Sequence, residues 1–81
     1  MDIEKRFRNA MTVIEYPGLD IDYDNIKPET RFIEDLGLDS LDQVELLIAT
    51  EEEFDIDIND EAASWATTYG KVVEYLKKVV R

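Results

Sequence analysis

The sequence predicts an all-α fold: a small antiparallel bundle of three main helices plus one short helix, with a long loop between helices one and two. Apolar residues recur at helical spacing near the N-terminus, after Ser40 and toward the C-terminus. Each of these stretches is preceded by an Asp or Thr suited to capping a helix N-terminus. The chain has 81 residues and no Cys, which fits one domain spanning 1–81 with a small core and no disulfide framework.

Helix one is expected from Asp2, its N-cap, to about Glu15, with Ile3, Phe7, Ala10, Met11 and Ile14 on one face. Tyr16-Pro17-Gly18 stops it. Beyond lies an ambiguous stretch. Leu19, Ile21 and Tyr23 alternate with Asp20, Asp22 and Asp24, and Phe54, Ile56 and Ile58 alternate with Asp55, Asp57 and Asn59. That period suits strands, but Asp is disfavoured in strands and a two-strand ribbon is marginal alone. Two extended loops that drop every second apolar side chain onto a helical core fit better. The same acids invite an EF-hand reading. It fails twice: the first candidate has Asn25 and Arg31 where Gly and Glu are needed, and the second has Asp60 and Ala66. No specific metal site is expected.

Phe32 to Leu36 reads as a short helical turn, and Gly37 supplies the positive φ that reverses the chain after it. Asp39 then caps helix two, expected over Ser40–Phe54, and Asp42 completes an acidic version of the capping box. Leu41, Val44, Leu47, Ile48 and Phe54 form the expected apolar stripe, broadened by Leu46 and Ala49. Ser40 falls at the first helical position. Its side chain points out from a helix N-terminus, where free N–H groups and the macrodipole favour a phosphate. Local chemistry alone leaves Ser40 open between an inert second capping residue and a functional hydroxyl.

Asp60 to Ala66 is expected to form the short third helix, capped by Asn59 or Asp60. Thr67 or Thr68 caps helix four, whose stripe is Val72, Val73, Leu76, Val79 and Val80. Lys77, Lys78 and Arg81 occupy its last turns, the end that favours cations.

Formal net charge is −11, and its placement is uneven. From Glu34 to Glu61 there are 12 acids and no Lys or Arg. Nucleic acid and anionic membranes are therefore poor partners, and basic protein surfaces are good ones. Asp42, Glu45, Glu52 and Glu53 repel one another along helix two without any intrahelical cation. A merely solvated face has no need of that cost, which points to a binding face. The chain lacks His as well as Cys, and neither Ser lies in a nucleophile elbow, so it is not expected to be an enzyme. No apolar run reaches the roughly 18 residues of a membrane helix, and the N-terminus lacks a signal-peptide core. A reduced, cytoplasmic compartment is the default.

Leu36-Gly37-Leu38-Asp39-Ser40-Leu41-Asp42-Gln43-Val44-Glu45-Leu46 followed by Glu51-Glu52-Glu53-Phe54 closely resembles the acyl carrier protein family. The similarity continues through Ile56-Asp57-Ile58-Asn59-Asp60-Glu61 and Thr67-Thr68-Tyr69-Gly70, covering roughly residues 32 to 76. The resemblance implies a monomeric, non-catalytic carrier whose Ser40 receives 4′-phosphopantetheine from coenzyme A, flanked by Asp39 and Leu41. It implies acyl groups held as thioesters for fatty-acid or related biosynthesis. The implied partners are a phosphopantetheinyl transferase and acyl-processing enzymes with basic docking surfaces. They would read Asp39, Asp42, Glu45, Glu51 and Glu52, with Ile48 and Ile58 as apolar contacts. It also implies an acyl pocket between helices two and three, here at Val44, Leu47, Thr50, Ala63 and Ala66. Thr50, Ala66, Trp65 and Asn59 depart from the family's usual residues, which leaves open a specialised carrier for polyketide, amino-acyl or unusual lipid synthesis. The remaining alternative is an unmodified acidic interaction domain.

Overall fold

The computed structural model describes residues 2–15, 21–59 and 61–80, excluding the side chain of Ala63. Helix α1 spans Ile3–Met11 and tightens into a 3₁₀ turn at Thr12–Ile14. A second 3₁₀ turn covers Tyr23–Asn25, followed by α2 (Ser40–Phe54), α3 (Ala62–Trp65) and α4 (Tyr69–Val79). This is the helical bundle the sequence predicts, with no strand among the described residues beyond an isolated bridge between Arg31 and Thr68. The expected stop at Tyr16-Pro17-Gly18 lies outside the described residues, as do Leu19 and the first acid of the Asp20/Asp22/Asp24 series.

Helix α1 begins as expected, with Asp2 accepting from the Lys5 amide at 3.1 Å. Its inward stripe is Phe7, Ala10 and Met11, continued by Ile14. Phe7 meets Phe32 edge-on, with ring centroids 6.3 Å apart, and Tyr69 at 5.5 Å. Arg6 ties α1 to the far end of α2. Its Nε donates to Glu53 Oε2 at 3.1 Å, Nη2 donates to the Glu53 carbonyl, and its guanidinium lies 4.6 Å over the Phe54 ring. Glu53 therefore joins two helices and is not part of a freely solvated face.

The first loop is pinned rather than paired. Ile21, Tyr23 and Ile26 pack against the core cluster, and the Tyr23 hydroxyl donates to Glu15. Further along, the loop closes the start of α4. Tyr69 and Gly70 amides donate to the carbonyls of Thr30 (2.9 Å) and Pro28 (2.8 Å), while the Lys71 amide donates to Thr68 Oγ1 at 3.2 Å. Three of the amides that a helix start leaves orphaned thus find protein acceptors. Gly70 is required by this approach: a Cβ there would stand 2.7 Å from the Pro28 carbonyl oxygen.

Helix α4 buries Tyr69, Val72, Val73 and Leu76; of the two further residues expected on the same stripe, Val80 packs half-buried against the core and Val79 is exposed. Helix α3 is shorter than expected. The Asn59 side chain spends itself on the Glu61 amide at 2.8 Å, and the helix ends where Ala66 leaves helical geometry at ψ 55°.

Two phenols give the fold an alkaline limit. Burial raises the Tyr23 pKa, and the Glu15 carboxylate beside it adds to the rise. Burial also raises Tyr69, with Glu4 adding and Arg8 opposing; its hydroxyl donates to Glu4 at 3.0 Å and accepts from Arg8 Nε at 3.2 Å. Unfolded tyrosines release their protons near pH ~10, before the folded ones do, so this contribution is complete below that pH and is lost above it. The melting temperature should fall as pH rises beyond about 10, and Tyr23→Phe should flatten the fall. An identical fall in Tyr23→Phe would assign the alkaline limit to other groups.

Candidate functional site

The site is built by a turn that hands over to a capped helix. Arg31 organises the turn: its amide donates to Asp35 Oδ2 at 2.8 Å, and its guanidinium lies 3.3 Å from the same carboxylate and 3.5 Å from Glu34. These contacts hold the Asp35 carboxyl below its usual range, the backbone amide leading. Gly37 then takes φ 79°, as its place in the sequence predicts, and Leu38 buries itself while its amide donates to the Phe32 carbonyl at 3.1 Å. Leu38 fixes the exit of the chain, so Asp39 emerges at the surface.

At Asp39 the capping box is complete. Asp39 Oδ1 accepts from the Asp42 amide at 2.8 Å, and Asp42 Oδ2 accepts from the Asp39 amide at 3.2 Å. Ser40 is exposed at the first helical position. Among the described residues its hydroxyl has no hydrogen-bond partner, and the amides of Ser40 and Leu41 meet no protein acceptor. That contrasts with α4, whose first three amides are all taken. Asp39→Ala should cost about 1 kcal/mol and lower the melting temperature by roughly 4–8 °C in thermal unfolding followed by circular dichroism. An unchanged transition would mean the box contributes nothing net.

Helix α2 is turned differently from expectation. Leu41, Val44 and Ile48 were expected in the core stripe, yet they are 65 %, 45 % and 49 % exposed. The buried row is Gln43, Leu46, Thr50 and Phe54, with Leu47 half-buried. At about 100° per residue the two rows lie on opposite sides of the helix. The core has room for one of them, and the α1 clamp on Glu53 and Phe54 selects the second. The sequence reading missed Gln43 altogether. Its spacing of three from Leu46 and seven from Thr50 was the available signal, masked by its polarity.

The acids take up mixed roles. Glu45 and Glu52 are exposed beside the Leu41/Val44/Ile48 row, and Asp42 is half-buried through its bond to Asp39. Glu51, half-buried, uses Oε2 to accept the Ile58 amide at 2.8 Å, so it also shapes the loop after α2 and half-buries Ile58 there. Of the residues expected to line an acyl pocket, Val44 is on the outer face and Leu47 at the edge. Thr50 and Ala66 are fully buried, and the side chain of Ala63 lies outside the described residues. Among the described residues the principal cavities lie elsewhere. One of about 490 Å³ is lined by Glu4, Pro28, Tyr69 and Lys77 among others, and one of about 560 Å³ runs over Trp65 and Tyr75. The hollow that reaches α2, lined by Ile33, Glu34, Gln43 and Thr67, holds about 30 Å³. No acidic cluster among the described residues is arranged to hold a metal ion.

Among the described residues this exposed hydroxyl has no competing partner and the first amides of its helix meet no acceptor, an arrangement that suits a phosphate ester. Residues 12–76 match the family described as "Phosphopantetheine attachment site", and the chain belongs to it. Domains of this family are non-catalytic carriers of a covalently attached 4′-phosphopantetheine. The matched span starts after α1, so Phe7 and Arg6 add to the bundle from outside it.

Proposed function

We propose that Ser40 is the attachment point, and that residues 1–81 act as one monomeric carrier unit in a reduced, cytoplasmic compartment. The observation that carries this reading is the exposed Ser40 hydroxyl at the capped start of α2, without a hydrogen-bond partner among the described residues. The chain has two serines, and the other argues against itself: Ser64 Oγ donates to the Glu61 carbonyl at 2.6 Å within a four-residue helix. Attached as a phosphodiester, the arm supplies a thiol on a long flexible chain, and the protein has no Cys to compete with it for acyl groups. Asp39 holds the helix start in place, and Leu41 flanks the attachment point.

Acyl thioesters are delivered to enzymes of fatty-acid or related biosynthesis that present basic docking surfaces. Asp39, Asp42, Glu45 and Glu52 supply charge, and Ile48, with Val44 and Leu41 beside it, supplies an apolar centre. Glu51 and Ile58 extend this surface while also bonding each other. Exposed ion pairs contribute roughly 0–1 kcal/mol each, so such complexes form fast, release readily and weaken with salt. A shuttle that visits several enzymes in turn needs those properties. The buried Thr50 and Ala66 favour a specialised carrier over one for long aliphatic chains.

The test is to incubate the apo protein with coenzyme A and a broad-specificity phosphopantetheinyl transferase, then measure the intact mass. A gain of one phosphopantetheine is expected, falling off as salt is raised. No gain would leave only the unmodified interaction domain.

A further inference from the structure

The side of α2 that turns inward beneath Ser40 carries two polar residues, Gln43 and Thr50, among the apolar Leu46 and Phe54. Gln43, three residues on from Ser40, is 5 % exposed, and its Nε2 donates to the Ala66 carbonyl at 3.0 Å. The next carbonyl along, that of Thr67, accepts the Phe32 amide at 3.1 Å. The α3–α4 connection is thus gripped from two sides, by α2 through Gln43 and by the 32–36 turn. Thr50, seven residues further along the same buried row, is 0 % exposed and donates its hydroxyl to the Leu46 carbonyl at 2.7 Å. The hollow beside Gln43 holds only about 30 Å³, far less than the cavities away from α2.

An aliphatic chain is driven out of water in proportion to its length, so long cargo on an exposed arm needs an interior to enter. Entry between α2 and the α3–α4 connection would strip the Ala66 carbonyl of the donor that Gln43 supplies, a loss that is penalised at a buried site. We propose that Gln43 is a specificity-determining residue. It bolts α2 to the α3–α4 connection and keeps cargo outside the bundle, so the protein serves short or polar acyl thioesters. Leu41, Val44 and Ile48 on the outer face leave such cargo open to enzymes that dock there. This inference rests on the carrier reading of Ser40.

The experiment loads Ser40 with acetyl- or octanoyl-phosphopantetheine from the corresponding coenzyme A thioesters by means of a broad-specificity transferase: the serine oxygen bonds the pantetheine-side phosphorus, the diphosphate bond breaks, and adenosine 3′,5′-bisphosphate leaves. Cleavage by hydroxylamine is followed by mass, relative to the same acyl-coenzyme A free in solution, alongside the melting temperature of each loaded form. In the natural sequence the two cargoes should show the same relative rate and the same melting temperature. Octanoyl cleavage slowed by about tenfold or more, the factor that burying roughly two methylenes supplies, would overturn the proposal. So would a higher melting temperature for the octanoyl form alone. Gln43→Ala should slow octanoyl cleavage several-fold and leave acetyl cleavage unchanged; equal rates in variant and parent would remove Gln43 from the role. Gln43→Met, which keeps the volume and drops the donor, makes the same comparison should the alanine variant unfold. Failure of every form to gain an arm would sink the carrier reading itself, and is distinguished by the absence of any mass change.

Discussion

Phe7→Ala is expected to remove a large share of the protein's stability. Phe7 is fully buried and its ring touches Phe32 from the first loop and Tyr69 from α4, so it joins three segments distant in sequence. Truncating a buried Phe to Ala costs about 3–5 kcal/mol. A chain of this length has a total stability of roughly 4–12 kcal/mol. Self-repulsion from a net charge of −11 draws that total downward. Thermal unfolding should show a melting temperature lower by at least roughly 12 °C, or no cooperative transition. A loss of only a few degrees would mean that α1, which precedes the matched family span, is an accessory rather than part of the core.

Ser40→Ala is expected to abolish phosphopantetheine attachment completely while leaving the fold intact. The Ser40 hydroxyl makes no protein hydrogen bond among the described residues, and Ala is a good helix former, so stability should change by no more than about 0.5 kcal/mol. Ser64→Ala should accept the arm at the rate of the natural sequence, because its hydroxyl is committed to the Glu61 carbonyl. Intact mass after incubation with coenzyme A and a transferase separates the two variants. Attachment that persists in Ser40→Ala and disappears in Ser64→Ala would move the site to α3.

Local chemistry in the sequence predicted the parts of the site that local chemistry builds. Gly37 takes the positive φ expected of it, Asp39 and Asp42 form the expected capping box, and Thr68, one of the two Thr offered by the sequence, caps α4. Each depends on residues within three positions of one another. The facing of α2 does not. Two rows on that helix, Leu41/Val44/Ile48 and Gln43/Leu46/Thr50, both have helical spacing, and hydrophobicity alone favours the wrong one. What decides is tertiary: Arg6 reaching Glu53 and Phe54 from α1, and Gln43 reaching Ala66 across 23 positions. Neither polar residue looks like a core residue by itself. The acids divide for the same reason. Glu51 and Glu53 read as members of a charged face, and each proved to have an internal bond to make.

The most direct test of the account is the mass of the protein purified from the organism that makes it, with peptide fragmentation to place any modification. The account predicts a phosphopantetheine arm on the peptide containing Ser40, and on that serine. An unmodified Ser40 peptide, or an arm mapped to Ser64, would contradict it.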